Sequence, residues 1–409
     1  MSYRQIDGGV TAAKGFEAAG TEAGIKYENR KDMAIVYSTS PCVCAGTFTS
    51  NVVKAAPVVW DMDIVDNSEY AQAVIVNTGI ANACTGKEGL DYCIRTAERA
   101  GELLGIPRNA VFVGSTGVIG AQLPIDRIVA GVEKLVKAKA HTREAGTEAS
   151  RAIMTTDTIN KEVAVEVTIG GKTVTIGAMS KGSGMIHPNM CTMLGYICTD
   201  INISKEMLTK AIKADVKDSF NMISVDGDTS TNDTLLIMAN GLAENERITA
   251  EGADYEAFTE ALNFVTTYLA KKMAGDGEGA TALFECRVIN ADTKENARIL
   301  AKSVICSSLT KAAIFGHDAN WGRILCALGY SGVKFDPEGL DLYFVDGDRR
   351  MFIYGDGKGQ DYSEEEATAI LSKEHVTALV DMHMGYEKAT AWGCDLSYDY
   401  VKINADYRS

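Results

Sequence analysis

The sequence predicts an α/β protein in which mixed β-sheets are layered with helices. Strand-like alternation and helix-like four-residue spacing are interspersed along the chain, against an all-helical or all-β architecture. Residues 163–179 spell a hairpin, two alternating runs flanking Gly170-Gly171. With 46% hydrophobic and 23% charged residues and six prolines, the chain reads as globular throughout. Its 409 residues suffice for one large or two linked domains.

In chain order, residues 110–114 read as a strand entering the glycine-rich turn Gly114-Ser-Thr-Gly117. The polar stretch 140–148, with His141, Thr142, Arg143 and Glu144, could join an N-terminal unit to the hairpin and marks a candidate boundary. After the hairpin an apolar, strand-like run begins at Thr192. Leu208, Ile212, Val216 and Phe220 recur at four-residue steps after Ser204, predicting a half-buried helix. Phe258, Leu262, Val265, Leu269 and Met273 predict another before Gly275. A second hairpin is predicted where 342–345 turns through Asp346-Gly347 into 351–354.

A net charge of -15 argues against nucleic acid, whose phosphates need a basic face, and favours small-molecule substrates. The start lacks the apolar core of a secretory signal, and no run of about eighteen apolar residues occurs. A soluble cytoplasmic protein without membrane attachment is expected. Of ten cysteines, Cys42, Cys84, Cys93, Cys198, Cys286, Cys306 and Cys326 sit mostly among aliphatic residues and are expected to be buried free thiols. Cys42 and Cys44 have no second pair or nearby His to complete a zinc site, so no metal is expected. Asp226-Gly-Asp-Thr-Ser-Thr-Asn-Asp233 lacks the ligand spacing of a calcium loop, with Thr231 and Ile237 at the diagnostic positions.

The chemistry concentrates in Lys181-Gly-Ser-Gly-Met-Ile-His-Pro-Asn-Met-Cys-Thr192, where two glycines leave the hairpin and Pro188 biases His187 toward extended geometry. No Gly-Lys-Ser/Thr follows Gly182 and Gly184 to complete a phosphate loop. A threonine hydroxyl needs an adjacent base to act as nucleophile. A free α-amine, with a reference pKa of about 7.7–8.0, can be that base on an N-terminal threonine. Thr192 would acquire one if the 191–192 peptide were cut. Residue chemistry alone leaves this open, since threonines at strand starts are commonly placed by β-propensity and packing.

Lys181-Gly-Ser-Gly-Met-Ile-His-Pro-Asn-Met-Cys-Thr192-Met-Leu resembles the self-cleavage motif of ornithine acetyltransferases. Further blocks similar to that family are Gly9-Val-Thr-Ala-Ala-Lys-Gly-Phe16, Gly114-Ser-Thr-Gly-Val-Ile-Gly120, Met154-Thr-Thr-Asp-Thr158, Val225-Asp-Gly-Asp-Thr-Ser-Thr-Asn-Asp233 and Phe315-Gly-His-Asp-Ala-Asn-Trp-Gly-Arg323. The resemblance spans essentially the whole chain. It implies the family's own α/β fold, reminiscent in mechanism of N-terminal nucleophile hydrolases, and a precursor cut at Cys191-Thr192 into chains 1–191 and 192–409. These would assemble as a heterotetramer of two copies of each.

The resemblance further implies that Thr192 accepts the acetyl group of N-acetyl-L-ornithine and passes it to L-glutamate, a step of arginine biosynthesis. Acetyl-CoA is a second donor in members that do both, and no cofactor is implied. Carried over by position, Thr116 and Gly117 would be the oxyanion donors, and Thr155, Lys181, Thr192, Glu278, Asn404 and Ser409 the substrate contacts. By charge, Lys181 suits a carboxylate and Glu278 an ammonium group, while Asn404 or Ser409 can hydrogen-bond the remainder. Val401 and Ile403 predict a C-terminal segment that is pinned and not frayed. His317 is expected to be structural, because an N-terminal threonine carries its own base. Two departures from the family pattern are Ile80, where Asn77-Thr-Gly-Ile80 replaces the usual Asn-Ser-Gly-Asn, and Cys191 in place of the usual alanine. The competing enzyme class is a self-cleaving amidase or aminopeptidase, in which water discharges acyl-Thr192. A non-catalytic protein retaining the fold is the third reading.

Overall fold

A computed structural model describes residues 3–187 and 193–406. They form two compact units, one from 3–182, 193–221 and 229–269, the other from 183–187, 222–228 and 270–406. Both units draw on residues from either side of the expected cut, so they are not the two expected chains.

The strands are β1 (Tyr3–Ile6), β2 (Phe16–Thr21), β3 (Met33–Phe48), β4 (Ala71–Ile80), β5 (Val111–Val118), β6 (Lys161–Ile169), β7 (Lys172–Lys181), β8 (Leu194–Thr199), β9 (Ile223–Ser224) and β10 (Thr234–Ala239). All but β9 build the first unit's sheet, in the order β1-β6-β7-β8-β10-β3-β4-β5, with β2 paired to β3. The sheet is mixed: β10 runs parallel to β8 and β4 to β5, while β3 is antiparallel to β4 and β10. Every residue of β4, β8 and β10 is buried, which is why these segments read as apolar runs without alternation. The covering helices include α1 (Ala56–Asn67), α2 (Gly86–Leu104), α3 (Ile125–Ala138), α4 (Arg143–Ala152) and α5 (Lys205–Asp215). Phe16, Met33, Ile35, Ile75, Phe112 and Tyr196 belong to the core between these layers, each burial contributing about 1.5–3 kcal/mol.

The first hairpin forms as predicted, with Ile169 paired to Lys172 and both glycines in the left-handed region, φ 54° and 77°. The stretch 140–148 is not a boundary but leads into α4, inside the first unit. The Thr142 side chain caps α4 by accepting from Ala145 N, and the helix packs so closely on β2 that a Cβ at Gly20 would lie 2.4 Å from the Glu148 carbonyl oxygen. Its polarity belongs to the outer face; Gly146, Ala149 and Ala152 form the inner one. The helix after Ser204 forms as predicted and Ser204 caps it, but α5 ends at Asp215, and Phe220 is buried from a following 3-10 turn.

The remaining elements are α6 (Ala253–Gly275), β11 (Leu283–Ala291), α7 (Lys294–Cys306), α8 (Ser308–Phe315), α9 (Trp321–Gly329), β12 (Asp341–Asp346), β13 (Arg349–Gly355), β14 (Lys358–Gly359), α10 (Glu364–Leu371), β15 (His375–Asp381), β16 (Glu387–Cys394) and α11 (Tyr398–Ala405). The second unit's sheet has the order β14-β13-β12-β15-β11-β16-β9. In the second hairpin Asp346 pairs with Arg349, one residue later than predicted, because Gly347, φ 59°, takes the first turn position. Glu285 on β11 is buried and receives Trp392 Nε1 at 2.6 Å, with Lys271 at 3.3 Å.

Three thiol expectations are corrected. Cys84 and Cys326 are exposed, one on the left-handed loop after β4 and one on α9, and Cys306 is half-buried; Cys42, Cys93, Cys198 and Cys286 are buried free thiols. Among the described residues no helix is long and apolar enough to cross a membrane.

Candidate active site

The end of β5 carries the expected oxyanion donors. In the parallel pairing of β4 with β5, Thr78 faces Thr116 and Gly79 faces Gly117. Gly117 has φ 132°, and a Cβ there would lie 2.2 Å from the Gly79 carbonyl carbon, so only glycine fits this close approach. Lys181, buried at the end of β7, donates a long hydrogen bond of 3.4 Å to Thr116 Oγ1. An ammonium has no acceptor capacity, so Thr116 must accept here and its own hydroxyl proton remains available for another acceptor.

Buried amides hold this turn. Ser115 Oγ donates to Asn77 Oδ1 at 2.6 Å, and Asn77 Nδ2 donates to the Ile80 carbonyl at 3.0 Å. Asn232 Nδ2 donates to the Ala81 and Ser115 carbonyls at 2.6 and 2.8 Å. Ile80 itself is only 9% exposed, so the departure at this position places an apolar side chain in the core.

Asp157 organises the neighbourhood of Lys181. Its carboxylate accepts from Lys161 Nζ at 2.7 Å, Gly182 N at 2.7 Å and Thr155 N at 3.0 Å, and both charged side chains of the Asp157–Lys161 pair are fully buried. Burial would raise this carboxyl, but the charges of Lys181 and Lys161 and the bonds from Lys161 and Thr155 override it and hold it well below the usual range. One carboxylate thereby fixes the backbone after Lys181 and the backbone of Thr155. Sequence reading passed over Asp157 and Asn232, although both stand inside blocks it singled out.

In the second unit Glu278 is buried, and Asn404 Nδ2 on α11 donates to its Oε2 at 2.8 Å. A Cβ at Gly184 would lie 2.4 Å from that carboxylate, which accounts for the glycine. Segment 183–187 is strapped down in this unit: Ser183 Oγ donates to the Asp276 carbonyl at 2.7 Å, Glu278 N to the Ser183 carbonyl at 3.0 Å, and Val225 N to the Ile186 carbonyl at 2.7 Å. Asp226 receives Met185 N at 2.6 Å and Ile186 N at 2.9 Å, with Met185 in the left-handed region at φ 54°. His187 Nδ1 lies 3.1 Å from Ser224 Oγ, and burial, aided by the Lys302 charge, lowers its pKa to about 4, so its ring is neutral near pH 7.

The structure thus gathers Thr116, Gly117, Lys181 and, through Asp157, Thr155 in the first unit, and Glu278 with Asn404 in the second. Thr192, Cys191 and Ser409 lie outside the described residues. Leu194, at the head of β8, is the register partner of Lys181. The C-terminal segment is pinned as predicted, but not by its apolar residues, since Val401 is 65% exposed and α11 buries no residue; polar contacts hold it, Asn404 to Glu278 and Ser397 Oγ to the Gly279 carbonyl at 2.6 Å. Chemically, a hydroxyl, a glycine N–H and a lysine can stabilise a tetrahedral oxyanion and bind a carboxylate, while a buried carboxylate suits an ammonium group.

The family model of the ArgJ family matches residues 17–409. The chain is 50% identical over 404 residues to the arginine biosynthesis bifunctional protein ArgJ 1 of Clostridium acetobutylicum, covering 98% of this chain and 97% of the relative. It is 52% identical over 406 residues to the arginine biosynthesis bifunctional protein ArgJ of Symbiobacterium thermophilum, covering 99% of each. Among solved structures, it is 46% identical to the ArgJ protein from Bacillus halodurans, covering 51% of this chain and 97% of that one at a TM-score of 0.49. It is 39% identical to an ornithine acetyltransferase from Mycobacterium tuberculosis complexed with ornithine, covering 46% and 98% at a TM-score of 0.42.

Proposed function

Because the chain belongs to the ArgJ family, we propose that it is an acyltransferase of arginine biosynthesis that moves the acetyl group of N-acetyl-L-ornithine to L-glutamate, with acetyl-CoA as a second donor. The precursor first cuts itself. The Thr192 hydroxyl attacks the carbonyl of Cys191, the acyl group moves from nitrogen to oxygen, and water cleaves the ester to leave chains 1–191 and 192–409, the second with a free α-amine. The chains remain together as a cytoplasmic heterotetramer of two copies of each.

In transfer, Thr192 Oγ attacks the acetyl carbonyl while its α-amine takes the hydroxyl proton. The oxyanion accepts from Thr116 Oγ–H and Gly117 N–H. Collapse breaks the C–N bond, and the proton leaves with the ornithine amine. Glutamate's neutral amine then attacks the acetyl ester, and the hydroxyl of Thr192 is restored. Lys181 pairs with the substrate carboxylate and Glu278, oriented by Asn404, with its ammonium group; Thr155 and Ser409 complete the contacts. The observation that carries this assignment is the Lys181 ammonium donating to Thr116 Oγ1, which leaves the Thr116 proton free beside left-handed Gly117.

Mature protein given N-acetyl-L-ornithine without glutamate is expected to release ornithine in a burst and to add one acetyl mass to a fragment beginning Thr-Met-Leu-Gly-Tyr. Glutamate then discharges it as N-acetylglutamate, with ping-pong kinetics. Intersecting initial-rate lines with no trapped acetyl fragment would overturn the covalent route, and release of free acetate in place of N-acetylglutamate would make the protein an amidase.

A further inference from the structure

A cleft of about 480 Å³ in the first unit is lined by Arg30, Arg151, Met154, Thr155, Asp157 and Asn160 among others. In a chain of net charge -15, two guanidinium groups at one cleft need an account. Arg30 donates to the Met154 and Thr155 carbonyls at 2.5 and 3.1 Å, bonds that fix the group without neutralising it. Arg151 is 60% exposed, and its acidic neighbour Glu148 stands 3.8 Å away and is shared with Lys31. The one carboxylate named in the lining, Asp157, is engaged by Lys161, Gly182 N and Thr155 N.

The loop that brings Arg30 also brings an aromatic platform. Lys26 Nζ and the Arg30 guanidinium stand 5.2 and 5.1 Å from the centroid of the Tyr27 ring. The loop is built, not loose: the buried Asp32 carboxylate receives Ala23 N at 2.7 Å and Ile25 N at 2.6 Å, and Asn29 N donates to Glu22 at 2.8 Å. It also lies against the catalytic strands, since a Cβ at Gly79 would fall 2.9 Å from Lys26 Cβ and 3.7 Å from the Tyr27 ring, and Gly79 is the register partner of Gly117.

We propose that Lys26, Tyr27, Arg30 and Arg151 form the binding site for the phosphate-bearing nucleotide end of an acyl-CoA donor, the cations pairing with phosphates and Tyr27 offering a face to the base. N-acetyl-L-ornithine has one carboxylate and L-glutamate two, and neither has a base, so neither has a use for an aromatic ring with Lys26 and Arg30 against it. A nucleotide does. The thioester end would then reach past Thr155 and Gly79 toward Gly117. This rests on the acetyl-transfer reading above.

The test is calorimetric titration of the mature full-length protein with adenosine 3′,5′-bisphosphate, which carries the nucleotide without the thioester arm. Wild-type protein is expected to bind it, and Arg151→Glu and Lys26→Ala each to weaken binding by about tenfold or more, in parallel with the KM for acetyl-CoA. The KM for N-acetyl-L-ornithine should stay unchanged in both variants. No binding by wild-type protein, or binding indifferent to both substitutions, would overturn the site. An equal rise in the KM for N-acetyl-L-ornithine would also overturn it and assign the cations to the small substrate's carboxylate. Wild-type protein that binds the bisphosphate yet transfers acetyl from neither donor would sink the acetyl-transfer reading and leave the nucleotide site standing.

Discussion

Thr116 accepts from the Lys181 ammonium, so its hydroxyl proton is free to meet an oxyanion. Thr116→Ala removes that donor and the long 3.4 Å acceptor of Lys181, but keeps the Lys181 and Glu278 charges assigned to binding. The expected outcome in steady-state kinetics is a fall in kcat of about 10²–10³ with KM little changed, while Thr116→Ser retains most of the rate. An unchanged kcat in the alanine variant would reduce Thr116 to a turn residue. The family resemblance singled out Thr116 and Gly117; a glycine-rich turn after a strand is a local pattern that by itself names no oxyanion site. Asp157 and Asn232 escaped it because their work is to bind backbone far away in the chain: Asp157 takes Gly182 N, and Asn232 reaches the Ala81 and Ser115 carbonyls. A carboxylate or an amide carries no sign in sequence of which distant group it will meet.

At the scale of elements, the strap 183–187 precedes the expected cut and is clamped in the second unit by both oxygens of Asp226. Met185 is held there in a left-handed conformation that costs a non-glycine residue roughly 1–2 kcal/mol. Releasing the clamp lets that residue relax and loosens the approach to the 191–192 peptide. Asp226→Ala is therefore expected to accumulate uncut chain, followed on denaturing gels after synthesis, with Asp226→Asn intermediate because it keeps one acceptor oxygen. Cutting at the wild-type rate in the alanine variant would show that the strap does not position the cut. The first hairpin was legible because Gly170-Gly171 fixes its turn locally. The supposed boundary at 140–148 misled because polarity marks the outer face of a packed helix as readily as a linker, and only the seating of α4 on β2 separates the two.

At the scale of the whole molecule, each unit contains a buried carboxylate held below its ordinary pKa. For Asp157 burial opposes ionisation and Lys181 and Lys161 prevail; for Glu285 burial likewise opposes it, and His375, Lys271, Arg287 and Trp392 prevail. A depressed carboxyl contributes stability that is fully present above its unfolded pKa, about 4, and is lost as pH falls through the lower folded value. The melting temperature is therefore expected to fall as pH drops below about 4. Asp157→Asn should lower it at neutral pH, since removing the counter-charge of a buried ammonium typically costs about 3–5 kcal/mol, and should flatten the acid limb; a limb of unchanged steepness in that variant would show that Asp157 does not carry this term. By itself the sequence determined the α/β class, the first hairpin, the helix after Ser204, and a whole-chain resemblance dense enough to show the family. These are properties of local spacing and of residue type at fixed positions. The tertiary structure alone decided that two compact units each draw on both sides of residue 191, that Asp157 ties Thr155 to the backbone beside Lys181, that Asn404 orients Glu278, and that Tyr27 stands over Gly79 with cations around it. Each of these joins residues remote in the chain, and such contacts are set by how sheets and helices pack, which no local pattern encodes.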